Sequence, residues 1–181
     1  LYGSFEATIK KESVTGDYKR TRTPRLVLVF SNGNIKMFNC SVKFIEDVEF
    51  KKSYDFSSDV MSPEWDEKAA VRKMSEQPDE EIADVLLDQD IFSGVGNIIK
   101  NEVLFLNRTN PKKYIRSLTK TKQNANAKEA QSFSRQVYEW RKIFKLKANL
   151  VIYRKSVCPV CGTKITREKT GKRKRWSFYC P

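Results

Sequence analysis

Cys158-Pro159-Val160-Cys161 is followed, after eighteen intervening residues, by Cys180-Pro181, and this spacing constrains the fold more than any other feature of the chain. A C-x2-C knuckle sets two thiolates along one edge of a tetrahedron, and a hairpin that returns a second knuckle beside it completes a four-cysteine zinc site. The fourth cysteine of such a site is expected about two residues beyond Pro181. The same residues could form a redox pair or a disulfide, but a redox C-x-x-C normally opens a helix after a strand. Here Gly162 follows directly, and residues 164–167 and 176–179 read as the two strands of a small hairpin. The spacing therefore favours structural Zn2+ on Cys158, Cys161 and Cys180. A closed thiolate site has no open coordination position, so such a metal holds a loop and does no chemistry. Cys40 stands apart and reads as a small hydrophobe.

The loop so held, Arg167-Glu168-Lys169-Thr170-Gly171-Lys172-Arg173-Lys174-Arg175-Trp176, is a cationic tip beside an aromatic. A charge run is usually a solvated face, but one fixed by a metal framework is suited to gripping nucleic-acid phosphates. The whole chain shares this bias. Its 181 residues carry 35 Lys and Arg against 22 Asp and Glu, a net charge of +13 that favours a polyanionic partner. With 39% hydrophobic residues the chain can bury a core, which excludes a disordered basic tail. No apolar run nears the roughly 18 to 20 residues of a membrane span, so no membrane partner is expected. The sequence contains 0 His, which excludes Ser-His triads and His-ligated metals within it. It starts at Leu1-Tyr2-Gly3, without Met or a leader and inside what reads as a strand, so a fragment is expected.

Residues 3–9, 25–31 and 35–38 read as strands, the last two joined at Ser31-Asn32-Gly33-Asn34, with a polar loop over 10–24. Ser and Asp cluster over 53–63, and a domain boundary is placed there. The hydrophobic period then lengthens from two to about 3.6. One helical stretch opens at Ala69-Ala70-Val71. Pro78-Asp79-Glu80-Glu81 signals the start of a second, with Ile82, Val85, Leu86 and Gln89 on one face. A third starts near Gly96-Asn97 and carries Ile98, Ile99, Glu102, Val103 and Leu106 at helical spacing. A long fourth covers about 124–147, with a core stripe of Ala130, Phe133, Val137, Trp140 and Phe144. The fold class is α+β: part of a β-sandwich over 1–55, a helical domain over 56–150 and a zinc hairpin over 151–181.

Gly94-Val95-Gly96-Asn97 links the second and third helices. Two glycines one residue apart permit positive φ and close backbone approach, and Asn97 can cap the helix that follows. The bland reading is a tight interhelical turn. In so basic a chain, upstream of a basic hairpin, a phosphate site at the helix start is the more economical one.

Taken together, Leu86-Leu87-Asp88-Gln89, Gly94-Val95-Gly96-Asn97-Ile98-Ile99, Glu102-Val103-Leu104-Phe105 and Pro111 resemble the helix-two-turns-helix motif of the formamidopyrimidine-DNA glycosylase / endonuclease VIII family. Met61-Ser62-Pro63-Glu64 is similar to the family's linker. Ile152-Tyr153-Arg154 before the first knuckle, and Arg175-Trp176-Ser177-Phe178-Tyr179-Cys180-Pro181, are similar to the segments that bracket its zinc finger.

The resemblance implies a bifunctional DNA glycosylase and AP lyase that acts on damaged double-stranded DNA. It flips out an oxidised base and nicks the abasic site through a Schiff base formed by an N-terminal amine. An α-amine has a pKa of about 8, so an appreciable fraction is nucleophilic at neutral pH and no His is required. The family's Pro-Glu start and the Lys of its next strand would lie upstream of Leu1, leaving this fragment inactive by itself. Leu1 would stand where the family has a Met wedge that fills the gap in the base stack. Lys43 and Phe44 would contact the opposite strand. Val42 replaces an Arg there and cannot make that residue's contacts, and the alternative for Phe44 is ordinary strand packing. Arg175 would bind the phosphate flanking the lesion and assist elimination by neutralising charge. Asn97 and the Gly96 turn would bind the same phosphate region, and Lys172, Arg173 and Lys174 would grip the backbone. A monomer is implied, nuclear in a eukaryote or cytoplasmic and nucleoid-associated in a bacterium. The competing readings are a non-catalytic DNA-binding protein with the same motif and finger, and an RNA-associated zinc ribbon that leaves Gly94 to Asn97 unexplained.

Overall fold

The computed structural model describes residues 4–14 and 22–181, without the side chains of Lys51 and Lys52. The chain divides into two compact units, one ending at Tyr54 and the other running from Asp55 to Pro181.

In the first unit, strands β1 (Ser4–Ile9), β2 (Glu12–Ser13), β3 (Leu26–Phe30) and β4 (Gly33–Phe38) form an antiparallel sheet in the order β2-β1-β4-β3. The register pairs Phe30 with Gly33, so the Ser31-Asn32 turn closes the expected hairpin. Gly33 is required there, because a Cβ would lie 1.9 Å from the Thr8 carbonyl oxygen. Phe38 is the one buried apolar side chain among the described residues of this unit. The expected loop over 10–24 contains β2, and its residues 15–21 lie outside the described ones. Residues 47–53, to which the sequence pattern gives no element, form helix α1 (Asp47–Ser53).

The second unit is helical around one core. Helix α2 (Glu67–Ser75) starts on Asp66, whose carboxylate accepts the Ala69 N–H at 3.0 Å. It is followed by α3 (Ile82–Val85), α4 (Asn97–Leu106), α5 (Lys120–Lys142) and α6 (Leu146–Asn149). Met74, Ile82, Leu86, Phe92, Val103, Ala130 and Phe133 are buried together in the centre. Strands β5 (Thr166–Thr170) and β6 (Arg175–Tyr179) then form the C-terminal hairpin.

Three expectations are corrected here. The helix expected from Pro78 through Gln89 is only the four residues of α3. Residues 78–82 pair instead with the segment before α5: the Arg116 N–H donates to Pro78, the Ile115 N–H to Glu80 and the Ile82 N–H to Lys113. Tertiary hydrogen bonds thus satisfy the groups that a longer helix would have used. The long helix runs from Lys120, capped by Thr119, to Lys142, and Phe144 adopts a φ of 56° that ends it. Phe144 consequently leaves the core stripe and is 74% exposed. The hairpin is tighter than expected, because Arg167 and Lys169 belong to β5 and only residues 171–174 form the tip.

Three consecutive polar residues of α4, Lys100, Asn101 and Glu102, are 0%, 1% and 0% exposed. Glu102 accepts backbone N–H bonds from Val151, Ile152 and Tyr153 at 2.8 to 3.0 Å, tying the approach to the first knuckle onto the helix. Glu102→Ala leaves those buried donors unsatisfied and should destabilise the second unit by about 3 kcal/mol or more. Urea unfolding checks this, and a loss within ~0.5 kcal/mol would show that water replaces the carboxylate without cost.

Candidate nucleic-acid interface and thiolate cluster

The turn before α4 is built from side chain to backbone. Gln89, expected on a helical face, lies beyond α3, where its Nε2 donates to the Leu87 and Val95 carbonyls and its Oε1 accepts the Gly94 N–H at 3.1 Å. Gly94 has a φ of 90° and needs to be glycine. Gly96 does not: its φ of −110° suits any residue, and a Cβ would meet nothing within 4 Å. Open space therefore lies over the start of α4, where the first backbone N–H groups have no intrahelical partners.

Asn97 does not cap this helix. The N-cap is Gly96, with no side-chain cap bond, and Asn97 is the first helical residue. Its Oδ1 is buried without a hydrogen-bond partner.

Strand β6 lies against α4 through Lys100 and Asn101. The Asn101 amide nitrogen donates to the Asn97 carbonyl at 2.7 Å and to the Trp176 carbonyl at 3.2 Å, while its oxygen accepts the Phe178 N–H at 2.7 Å. Lys100 Nζ donates to the same Trp176 carbonyl at 3.1 Å and to Ser177 Oγ at 2.8 Å. Ser177 Oγ also shares a proton with Thr170 Oγ1 at 2.6 Å, linking both strands to the lysine. Arg175, the first residue of β6, precedes the shared carbonyl and is close enough for its charge to act on Lys100. Burial pulls the Lys100 ammonium down to about 8, with Asp84 opposing that shift and Arg175 adding to it.

The hairpin tip is held by acids. Asp84, 6% exposed, accepts the backbone N–H groups of Lys172 and Arg173. Gly171 has a φ of 67°, and a Cβ there would come within 2.2 Å of the Asp84 carboxylate. The Lys172 ammonium pairs with Glu80, and Arg173 lies 3.9 Å from Asp88. Lys172 and Arg173 are therefore engaged with the helical region, whereas Lys174 is exposed at a φ of 49°. On one face of the hairpin, Arg167 lies over the Trp176 ring at 4.2 Å and Lys169 at 5.6 Å.

Cys158, Cys161 and Cys180 come together, with their sulfur atoms within 4.8 Å of one another. Cys161 and Cys180 are 3.4 Å apart. Thiolates about 2.3 Å from a tetrahedral zinc ion sit about 3.8 Å apart, so the cluster fits such a centre. Bonding to Thr163 draws the Cys161 thiol down to about 7, and the Cys161 bond pushes Cys180 up to about 12. Cys40 is half-buried, as its reading as a small hydrophobe requires.

In the first unit, Phe44 is 93% exposed and is not packed into the sheet, and Lys43 beside it is exposed. Leu1 lies outside the described residues. The sequence reading named Arg175, Gly96 and Asn97 but missed Asp84, Lys100 and Asn101. A helix carrying Lys-Asn-Glu in succession offered one signal, because three adjacent polar residues span too wide an arc to share one solvent face.

Comparison with known proteins agrees with this geometry. Residues 57–142 match the formamidopyrimidine-DNA glycosylase H2TH domain. Human Endonuclease 8-like 3 is 30% identical over 167 residues, covering 91% of this chain and 28% of that protein. Bovine Endonuclease 8-like 2 is 32% identical over 194 residues, covering 100% of this chain and 55% of that protein. The chain thus spans little more than half of one relative and under a third of the other. Among solved structures, a viral DNA glycosylase superposes with a TM-score of 0.75 at 21% identity, covering 99% of this chain and 72% of that one. A Lactococcus lactis Fpg in complex with DNA containing an abasic site gives 0.77 at 20% identity, covering 99% and 70%. These two likenesses show a shared α+β fold. Residues 57–142 thus carry the H2TH domain of formamidopyrimidine-DNA glycosylases, and the chain is similar to Endonuclease 8-like proteins over nearly its whole length.

Because the folded state holds the Lys100 proton less tightly than the unfolded chain, it binds fewer protons between about pH 8 and the ordinary lysine value of 10.5. Stability should rise with pH across that window, by about 3 kcal/mol at most. The difference in unfolding free energy between wild type and Lys100→Met, measured from pH 7 to 10, should show this slope. A constant difference would mean that Lys100 is not perturbed.

Proposed function

We propose that this chain forms the DNA-gripping part of a base-excision glycosylase and AP lyase, in which α4 and the C-terminal hairpin bind the phosphate beside a flipped, oxidised base. The observation that carries the reading is the Asn101 amide, which bonds the Asn97 and Trp176 carbonyls together and so ties the strand that begins at Arg175 to the first turn of α4, where a Cβ on Gly96 would meet nothing within 4 Å. Free N–H groups at a helix start, a guanidinium and no covering side chain make a pre-formed anion site. Arg175 neutralises the phosphate as the strand is cleaved by elimination, and Asn97 and the Gly96 N–H hold the phosphate in register. The attacking group is the N-terminal amine that the family resemblance places before Leu1.

Lys43 and Phe44 serve a separate contact, with the exposed ring offered to a base and the ammonium to phosphate. Leu1 fills the role of an apolar wedge in the stack. Lys174 is the tip residue best placed to grip DNA, because Lys172 and Arg173 are already turned toward Glu80 and Asp88. Zn2+ on Cys158, Cys161 and Cys180 supplies cohesion of the hairpin and no chemistry. No helix among the described residues is long and apolar enough to cross a membrane. The protein works as a monomer on double-stranded DNA, in the nucleus of a eukaryote or on a bacterial nucleoid.

The reading is tested by incubating the protein that carries this chain with oxidised-base duplex and borohydride. A covalent adduct is expected, and DNA binding without any adduct would favour the non-catalytic reading. Arg175→Ala should reduce strand cleavage by about 10²-fold or more at unchanged zinc content, and unaltered cleavage removes Arg175 from the site. If six or more phosphates are contacted, affinity should fall roughly 10³-fold between about 50 and 200 mM salt. Chelation should release the metal and lower the melting temperature, whereas Cys40→Ser should change neither metal content nor melting. Loss of metal from Cys40→Ser would overturn the assignment of the other three cysteines as the ligands.

A further inference from the structure

Lys100 is a lysine with no exposed surface, held by a carbonyl and a hydroxyl and by no carboxylate in contact. Removing an ammonium from water is costly unless a counter-charge compensates, and such a group calls for an explanation. The charged groups facing it are Asp84 from α3 and Arg175 from β6. Asp84 is committed to the N–H groups of Lys172 and Arg173. The Lys100 ammonium therefore feels the repulsion of Arg175 while the acid that faces it, Asp84, is engaged with the hairpin tip.

We propose that Lys100 is a positioning residue of the phosphate site: its ammonium locks the Trp176 carbonyl and Ser177 hydroxyl to α4, presents Arg175 at the helix start, and holds its proton more firmly once a DNA phosphate is bound. This inference rests on the phosphate-binding reading given above. An incoming phosphate relieves the repulsion between the two cations, so binding is accompanied by proton uptake where Lys100 is partly neutral. A lysine that only fills space would show no such linkage. Ser177 sets the balance as well, because its oxygen accepts from the ammonium and favours the charged form.

The test uses the zinc-loaded protein that carries this chain and a duplex carrying a tetrahydrofuran abasic analogue at fixed ionic strength, from pH 6.5 to 9.5. Wild-type affinity should fall above about pH 8, by up to tenfold per pH unit for one linked proton. Calorimetry in two buffers of different ionisation enthalpy should register proton uptake at pH 8.5. Lys100→Met should bind several-fold more weakly at pH 7 and lose this limb of the profile. Ser177→Ala, a milder change, should keep the limb and move it to lower pH. If wild type binds and Arg175→Ala weakens binding, but Lys100→Met or Ser177→Ala reproduces the wild-type profile, the role of Lys100 is overturned while the phosphate site stands. If wild type does not bind, or Arg175→Ala binds equally well, the phosphate-site reading itself fails.

Discussion

The second unit depends on the burial of a charged and polar triplet, Lys100-Asn101-Glu102, within a ten-residue helix. Buried polar groups are tolerated only when bonded, and here every partner but the Asn97 carbonyl comes from the C-terminal segment: residues 151–153 for Glu102, Phe178 and Trp176 for Asn101, Trp176 and Ser177 for Lys100. A small cluster of Ile152, Cys158, Ile165 and Phe178 supplies the apolar part of the same junction. The hairpin is thus specified by directional bonds more than by area. Sliding β6 by one residue along α4 would break several of them at once. A junction built this way gains geometric definition, which the proposed grip on one phosphate among many would demand.

The positive charge is distributed by the same logic. A hairpin tip of Gly171-Lys172-Arg173-Lys174 next to Arg175 looks like a uniform cationic patch in the sequence, but the fold sorts it. Asp84 and Glu80 clasp the first part of the tip, and Gly171 permits the close approach. These acids reduce the net field of the tip while fixing the backbone of Lys172 and Arg173. Exposed ion pairs such as Lys172 with Glu80 contribute little to stability, whereas the buried Asp84 carboxylate on two backbone N–H groups contributes more. The tip is better understood as an anchored lever for Arg175 than as a brush of free cations.

Elements with strong local signals were legible in the sequence. The Ser31-Asn32-Gly33 turn, the start of α4 after Gly96 and the Ala130, Phe133 and Val137 stripe of α5 all follow from turn chemistry and hydrophobic period. The thiol cluster followed from spacing. Errors arose where distant backbone competed with local preference. Residues 78–82 pair with the strand-like segment at 113–116 and so cannot continue as helix, and no property of Pro78-Asp79-Glu80-Glu81 announces a partner more than thirty residues away. Helix α1 hid within a run whose charged and apolar residues fit either period. Phe144 was assigned to the core because it extended a regular stripe, yet the left-handed φ one turn earlier than expected swings it outward.

The candidate site shows the same division more sharply. Arg175 and Gly96 could be named because motif order carried them, but the tie between their segments is the Asn101 amide, whose bond to the Trp176 carbonyl crosses 75 residues of sequence. Gly96 is instructive for the opposite reason. Neither its φ nor its packing requires glycine, so the fold by itself gives no reason for the residue. A side chain there would stand in the space above the helix start without straining anything, and would exclude any anion approaching the first N–H groups. On the reading proposed above, what a side chain at this position would obstruct is the phosphate at the helix N-terminus, and glycine leaves that approach open.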